Sequence, residues 1–138
     1  MLKQGEGVMT STDKQFGLSN IGQIAITVHN LPKAVAFYRD TLGMKFLFEV
    51  PAMAFFDCGG IRLMLGTSEK PEFDHPPSII YYKVEDIQKS YELLLSRNVQ
   101  FDAKPHLVAK LPDHELWLAF FRDMENNVLA LMSEVKSS

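Results

Sequence analysis

Residues 54–65 read AFFDCGGIRLML, and residues 119–132 read AFFRDMENNVLALM. Each is an apolar strand, a turn and a second apolar strand, and both open on Ala-Phe-Phe, 65 residues apart. Gly59-Gly60 supplies the first turn and Asp123-Met124-Glu125-Asn126-Asn127 the second, with Asn the residue best able to replace glycine where the backbone is left-handed.

Working outward from the first hairpin, KFLFEV (45–50) and a turn centred on Pro51 precede it. Upstream again, IGQIAITV (21–28) alternates, with Ile24, Ile26 and Val28 on one side and Gln23, Ala25 and Thr27 on the other, as in a strand covered on one face. Between them the sequence predicts a helix. Asn30 caps it, Pro32 lies in its first turn, Leu31, Val35, Tyr38 and Leu42 form its apolar stripe, and Gly43 ends it.

The second hairpin has the same surroundings. SIIYYKV (78–84) reads as a strand, Asp86 caps a helix striped by Ile87, Tyr91, Leu94 and Leu95, Asn98 takes the exit, and HLVAKL (106–111) with LWLAFF (116–121) leads into the last turn. Val28 and Val84, Asn30 and Asp86, Leu31 and Ile87, and Lys33 and Lys89 correspond at a spacing of 56 residues. The chain is therefore a repeat of two strand-helix-strand-strand-strand modules, each too small to bury its own sheet, so that the two must share a core or a cleft. Module one is expected over 20–66, a Pro-rich linker over 67–78 and module two over 79–135, making one domain over 20–135 behind a flexible tail at 1–19.

Bulk properties remove several classes of function. The chain has 138 residues, a net charge of -3 with the signs interspersed, and one cysteine, Cys58. It offers no basic stripe for nucleic acid, no apolar run near the roughly 18 residues of a membrane span, no internal disulfide and no cysteine-based zinc cage. A cytoplasmic protein with Cys58 as a small hydrophobe in a strand is expected.

The arrangement resembles the vicinal oxygen chelate superfamily of glyoxalase I, bleomycin-resistance proteins, extradiol dioxygenases and fosfomycin-resistance enzymes. The resemblance spans 21–133 and rests on IAITVHNLPKAVAFYRDTLGMKF, GGIRLML, VEDIQKSYELLLSRNVQF and WLAFFRDMENNVLALM. It implies an α+β fold of two paired βαβββ modules in one chain, forming a glyoxalase/bleomycin-resistance/dioxygenase-type cleft. In the enzymes of the superfamily that cleft holds a divalent metal, with ligands from the first and last strand of each module. Carried over by position, those sites are Gln23, Met64, Ile79 and Ala130. Only Gln23 offers an oxygen, and a thioether and two alkyl groups do not hold a hard divalent ion, so neither metal nor cofactor is expected.

What remains is a cleft for a small organic molecule, anionic or aromatic, lined by Gln23, Arg62, Met64, Ile79, Tyr81, His114, Trp117 and Ala130. Arg62 shares the face of Met64 and suits an anion, or else pairs with Asp57 across the hairpin; Tyr81 and Lys83 share the face of Ile79. Trp117 is either a stacking wall or a core residue, and the Phe55-Phe56 and Phe120-Phe121 pairs must each split between core and cleft. The alternative is a lyase, isomerase or dioxygenase, metal-free or with a displaced metal site at His106 and His114 flanked by Asp113 or Glu115. Superfamily members commonly pair, so a homodimer is expected.

Overall fold

The computed structural model describes residues 16–68 and 70–136, so most of the tail expected at 1–19 lies outside the described residues. Strand β1 is Gln23–Thr27, followed by helix α1, Leu31–Ala36, and strands β2 (Lys45–Val50), β3 (Met53–Cys58) and β4 (Ile61–Gly66). They form a sheet in the order β1-β4-β3-β2, with β1 parallel to β4 and the other pairs antiparallel. After a 3-10 turn at Pro71–Phe73 come β5 (Ile80–Lys83), helix α2 (Ile87–Ser96), β6 (Gln100–Phe101), β7 (His106–Lys110), β8 (His114–Arg122) and β9 (Val128–Lys136). The second sheet runs β5-β9-β8-β6, with β7 also paired to β8.

The repeat extends to register. Ala25, Met64 and Phe55 align across the first sheet, and Tyr81, Ala130 and Phe120 hold the same places in the second. The modules differ on one edge. β2 stays continuous through a bulge between Phe46 and Phe48, whereas its counterpart is broken into β6 and β7 by residues 102–105, where Pro105 has no N–H to give the ladder. Arg122 braces the break, its Nε and Nη2 donating to the two carboxylate oxygens of Asp102 at 3.1 and 3.0 Å.

Both helices start as their sequences require. Asn30 Oδ1 accepts from the Lys33 N–H at 3.1 Å, and Asp86 Oδ1 from the Lys89 N–H at 3.0 Å. The α-helical turn of α1 ends earlier than expected, at Ala36, and continues as a wider turn over Phe37–Thr41 with Leu42 N–H bonded to Phe37 O. Leu31, Val35 and Tyr38 are nonetheless buried, and Gly43 has φ +73°. In α2, Ile87 and Leu94 are buried, but Leu95 is exposed, contrary to the expected stripe, because a residue adjacent to Leu94 lies about 100° round the helix.

The helix-facing sides of the two sheets meet in a single core. Phe56, Leu63 and Leu65 of module one and Ala119, Phe121, Leu129 and Leu131 of module two belong to one buried cluster that includes residues of both helices. One polar knot lies in it. The buried Asp123 carboxylate accepts from Tyr38 Oη at 3.1 Å and from the Glu125 N–H, the Asn127 N–H and Asn127 Nδ2, each at 2.9 Å. Asn126, at φ +66°, takes the left-handed position that the sequence assigns to Asn in this turn.

Candidate functional site

Because the sheets pack through their helix-facing sides, each leaves its other side open. On the first sheet Gln23 and Ala25 of β1, Arg62 and Met64 of β4, Phe55 of β3 and Phe48 of β2 share that open side by strand alternation and register. Arg62 Nε donates to Gln23 Oε1 at 3.0 Å, and its guanidinium carbon lies 5.7 Å from the centre of the Phe55 ring. Phe48 stacks on Phe55 with ring centres 4.6 Å apart, and Gln23 Nε2 is 3.9 Å from Met64 Sδ. The result is a flat apolar platform with an oriented cation at one end.

The pairing of Arg62 with Asp57 considered from sequence is not formed. The two are opposite in register, but Asp57 Oδ1 accepts the Gly60 N–H at 3.2 Å within its own turn. Among the described residues Arg62 has no ion-pair partner.

On the second sheet Ile79, Tyr81 and Lys83 share the open side with Phe120, Leu118 and His114 of β8 and with Ala130, Met132 and Glu134 of β9. Tyr81 and Phe120 meet edge to face at 6.0 Å on either side of Ala130, which is fully buried. His114 is half-buried between Asp113 Oδ1 at 2.8 Å and Glu134 Oε2 at 3.7 Å, and Lys83 Nζ reaches Glu134 Oε1 at 2.9 Å. Lys83 holds the Glu134 carboxyl below its ordinary range.

Trp117 does not join this set. It alternates with Ala119 and Phe121 toward the core, half-buried, with Nε1 donating to Glu115 Oε1 at 3.2 Å, so the stacking-wall reading gives way to the core one. His106 and His114 are not brought together either. His106 stands opposite Leu118, four residues along β8 from His114, which is about 13 Å at a strand's rise. Among the described residues no group of three His, Cys, Asp or Glu side chains could hold a metal ion.

The four positions that the resemblance assigns to metal ligands do not fit a divalent cation. The Gln23 oxygen is already taken by the Arg62 guanidinium, itself a cation, Ile79 and Ala130 present only carbon, and Ala130 lies covered between two rings. Cys58 is half-buried, and burial together with the Asp57 charge pushes its thiol up, which disfavours a nucleophilic thiolate.

His29, at the junction of β1 and α1, gains two side-chain partners from the fold. Its Nδ1 lies 3.0 Å from Glu125 Oε1 and its Nε2 2.8 Å from Asp74 Oδ1, while Glu125 Oε2 accepts the N–H groups of His29 and Asn30 at 2.7 and 2.9 Å. Hydrogen bonding and charge from Asp74, then from Glu125, raise the imidazole above its ordinary value of 6.5. A raised folded value makes the contribution fully present below about pH 6.5, and it is lost as pH rises through the folded value. The melting temperature of the wild type is therefore expected to fall relative to that of His29→Gln as pH is taken upward from 6.5, and parallel profiles would refute the clasp.

Among the described residues no helix is long and apolar enough to cross a membrane. The family model described as the Glyoxalase/Bleomycin resistance protein/Dioxygenase superfamily matches residues 20–131. The chain is 29% identical over 126 residues to protein YraH of Bacillus subtilis (strain 168), an alignment covering 79% of this chain and 94% of YraH. It is 30% identical over 112 residues to the metallothiol transferase FosB of Staphylococcus epidermidis, covering 81% of this chain and 65% of FosB. Among solved structures it is similar to TnmS3, an antibiotic binding protein from Streptomyces sp. CB03234, with a TM-score of 0.69, 20% identity and coverage of 87% and 99%, a likeness of fold alone. With a family match spanning most of its length and two modules of matching register, the chain belongs to the glyoxalase/bleomycin resistance protein/dioxygenase superfamily.

Proposed function

We propose that this protein binds a small, planar organic anion on the open face of its first sheet, without a metal. The observation that carries the reading is Arg62, exposed, without a carboxylate partner among the described residues, oriented by Gln23 and lying beside the ring of Phe55. An aromatic acid meets both demands of such a surface, stacking on the Phe48 and Phe55 platform while its charge pairs with the guanidinium. Loss of the ligand set at Met64, Ile79 and Ala130 supports metal-independent binding over the lyase, isomerase or dioxygenase alternative. The name of TnmS3 shows that the same fold serves an antibiotic binding protein.

The pocket is completed by a second copy of the chain, in our reading. Phe48, Val50, Ile79 and Tyr81 are large apolar residues left exposed on faces directed away from the core, and a homodimer that sets the first sheet of one copy against the second sheet of another would cover all four. His114 and Tyr81 of that second sheet then supply the remaining polar contacts. The lone cysteine suits a reducing compartment, and we place the protein in the cytoplasm.

Arg62→Ala is expected to weaken binding of 2-naphthoate at least tenfold by isothermal titration calorimetry, with Arg62→Lys intermediate because a point charge replaces the fork. Equal affinity in all three proteins would refute the assignment.

A further inference from the structure

A cavity of about 400 Å³ opens between the two modules. It lies against the shared core. Module one contributes the stretch after α1 and the β3-β4 turn, and module two contributes β5 and α2. Its walls are mainly apolar, and one group buried in them is unaccounted for. The hydroxyl of Tyr82 is buried and, among the described residues, has no hydrogen-bond partner, although a buried polar group is ordinarily paired. Lys45 and Arg97 are exposed residues that border the cavity with one carboxylate, Asp57, giving its mouth a net positive charge.

We propose that this cavity is a second small-molecule site, for an apolar acid that carries a neutral oxygen, carbonyl or hydroxyl, at the end remote from its anionic group. The neutral oxygen accepts the Tyr82 O–H inside, the apolar body lies against Leu94 and Leu131, and the anion stays at the mouth with Lys45 and Arg97. A charged group at the inner end is disfavoured because the surroundings are apolar and buried; burial, with smaller contributions from Cys58 and Asp123, likewise raises the Tyr82 hydroxyl. The volume is within the range of small-molecule pockets. Nothing in this assignment depends on the Arg62 platform.

The probe is 4-benzoylbenzoate, a ketone and a carboxylate on one apolar body that also photolabels its surroundings. Cys58, the only cysteine, borders the cavity and reports on occupancy through its alkylation by N-ethylmaleimide. Saturating probe is expected to slow that alkylation at least fivefold, and irradiation to label peptides carrying Val84, Leu93 or Leu94. Tyr82→Phe is expected to raise the melting temperature of the free protein while lowering probe affinity at least threefold, a pair of opposite changes that a purely structural hydroxyl would not give. Ser90→Trp, at the wall of the cavity, is expected to abolish protection of Cys58, and Arg62→Ala to leave it intact. Labelling confined to Met53, Phe55 or Met64 on the open face, or alkylation at an unchanged rate under saturating probe, would overturn the proposal.

Discussion

Asp123→Ala is expected to destabilise the fold by about 3–5 kcal/mol, since it removes a buried acceptor and strands several donors, each costing about 1–3 kcal/mol when left unsatisfied. Four donors converge on this carboxylate, and none has another acceptor among the described residues: the Tyr38 hydroxyl, two backbone N–H groups and the Asn127 amide. Tyr38 is fully buried and belongs to module one, whereas Asp123 lies in the last turn of module two, so the bond ties the halves of the repeat together. Urea denaturation reads the loss directly. Tyr38→Phe leaves Asp123 with three donors and is expected to cost clearly less, and a double-mutant cycle should show coupling of about 1 kcal/mol or more. A loss below about 1 kcal/mol for Asp123→Ala would mean that the knot is ornamental and the modules are held by apolar contact alone.

Phe56→Ala should be comparably damaging, at about 3–5 kcal/mol, for a different reason. Phe56 is fully buried, with the rings of Phe46 and Tyr38 centred 5.5 and 6.3 Å away, and no neighbour can collapse into the space it fills without moving a strand. Its neighbour Phe55 points to the open face. Phe55→Ala is expected to cost under about 1 kcal/mol of stability, again by urea denaturation, while reducing binding of 2-naphthoate. Similar losses of stability for the two variants would contradict the division of the sheet into a core face and a binding face.

That division was legible in the sequence because it rests on a period of two. The alternation of β1 and the sharing of a face by Arg62 and Met64 follow from strand geometry alone. So does the split of the Phe-Phe pairs, with Phe56 and Phe121 in the core and Phe55 and Phe120 on the open side. The caps at Asn30 and Asp86 and the left-handed turns at Gly43, Gly59 and Asn126 are equally local.

What the sequence did not carry is long-range. His29 and Glu125 are 96 residues apart, and nothing near either one announces the other. Strand parity alone does not settle the face of Trp117, since a bulge in the hairpin before it would reverse that face; the bulge falls in β7 between Leu107 and Ala109 while β8 runs straight. Period also fixes which residues share a side without saying which side the partner module covers. The cavity behind Tyr82 arises from that packing, and so was not visible in the pattern of either module.

The most direct test of metal-free binding is native mass spectrometry of the purified protein beside its denatured mass. We expect a dimer that carries an organic adduct and no metal, with the adduct lost on denaturation and on Arg62→Ala. A stoichiometric divalent metal retained in the native species would contradict the account, for it would require ligands outside the four positions at Gln23, Met64, Ile79 and Ala130.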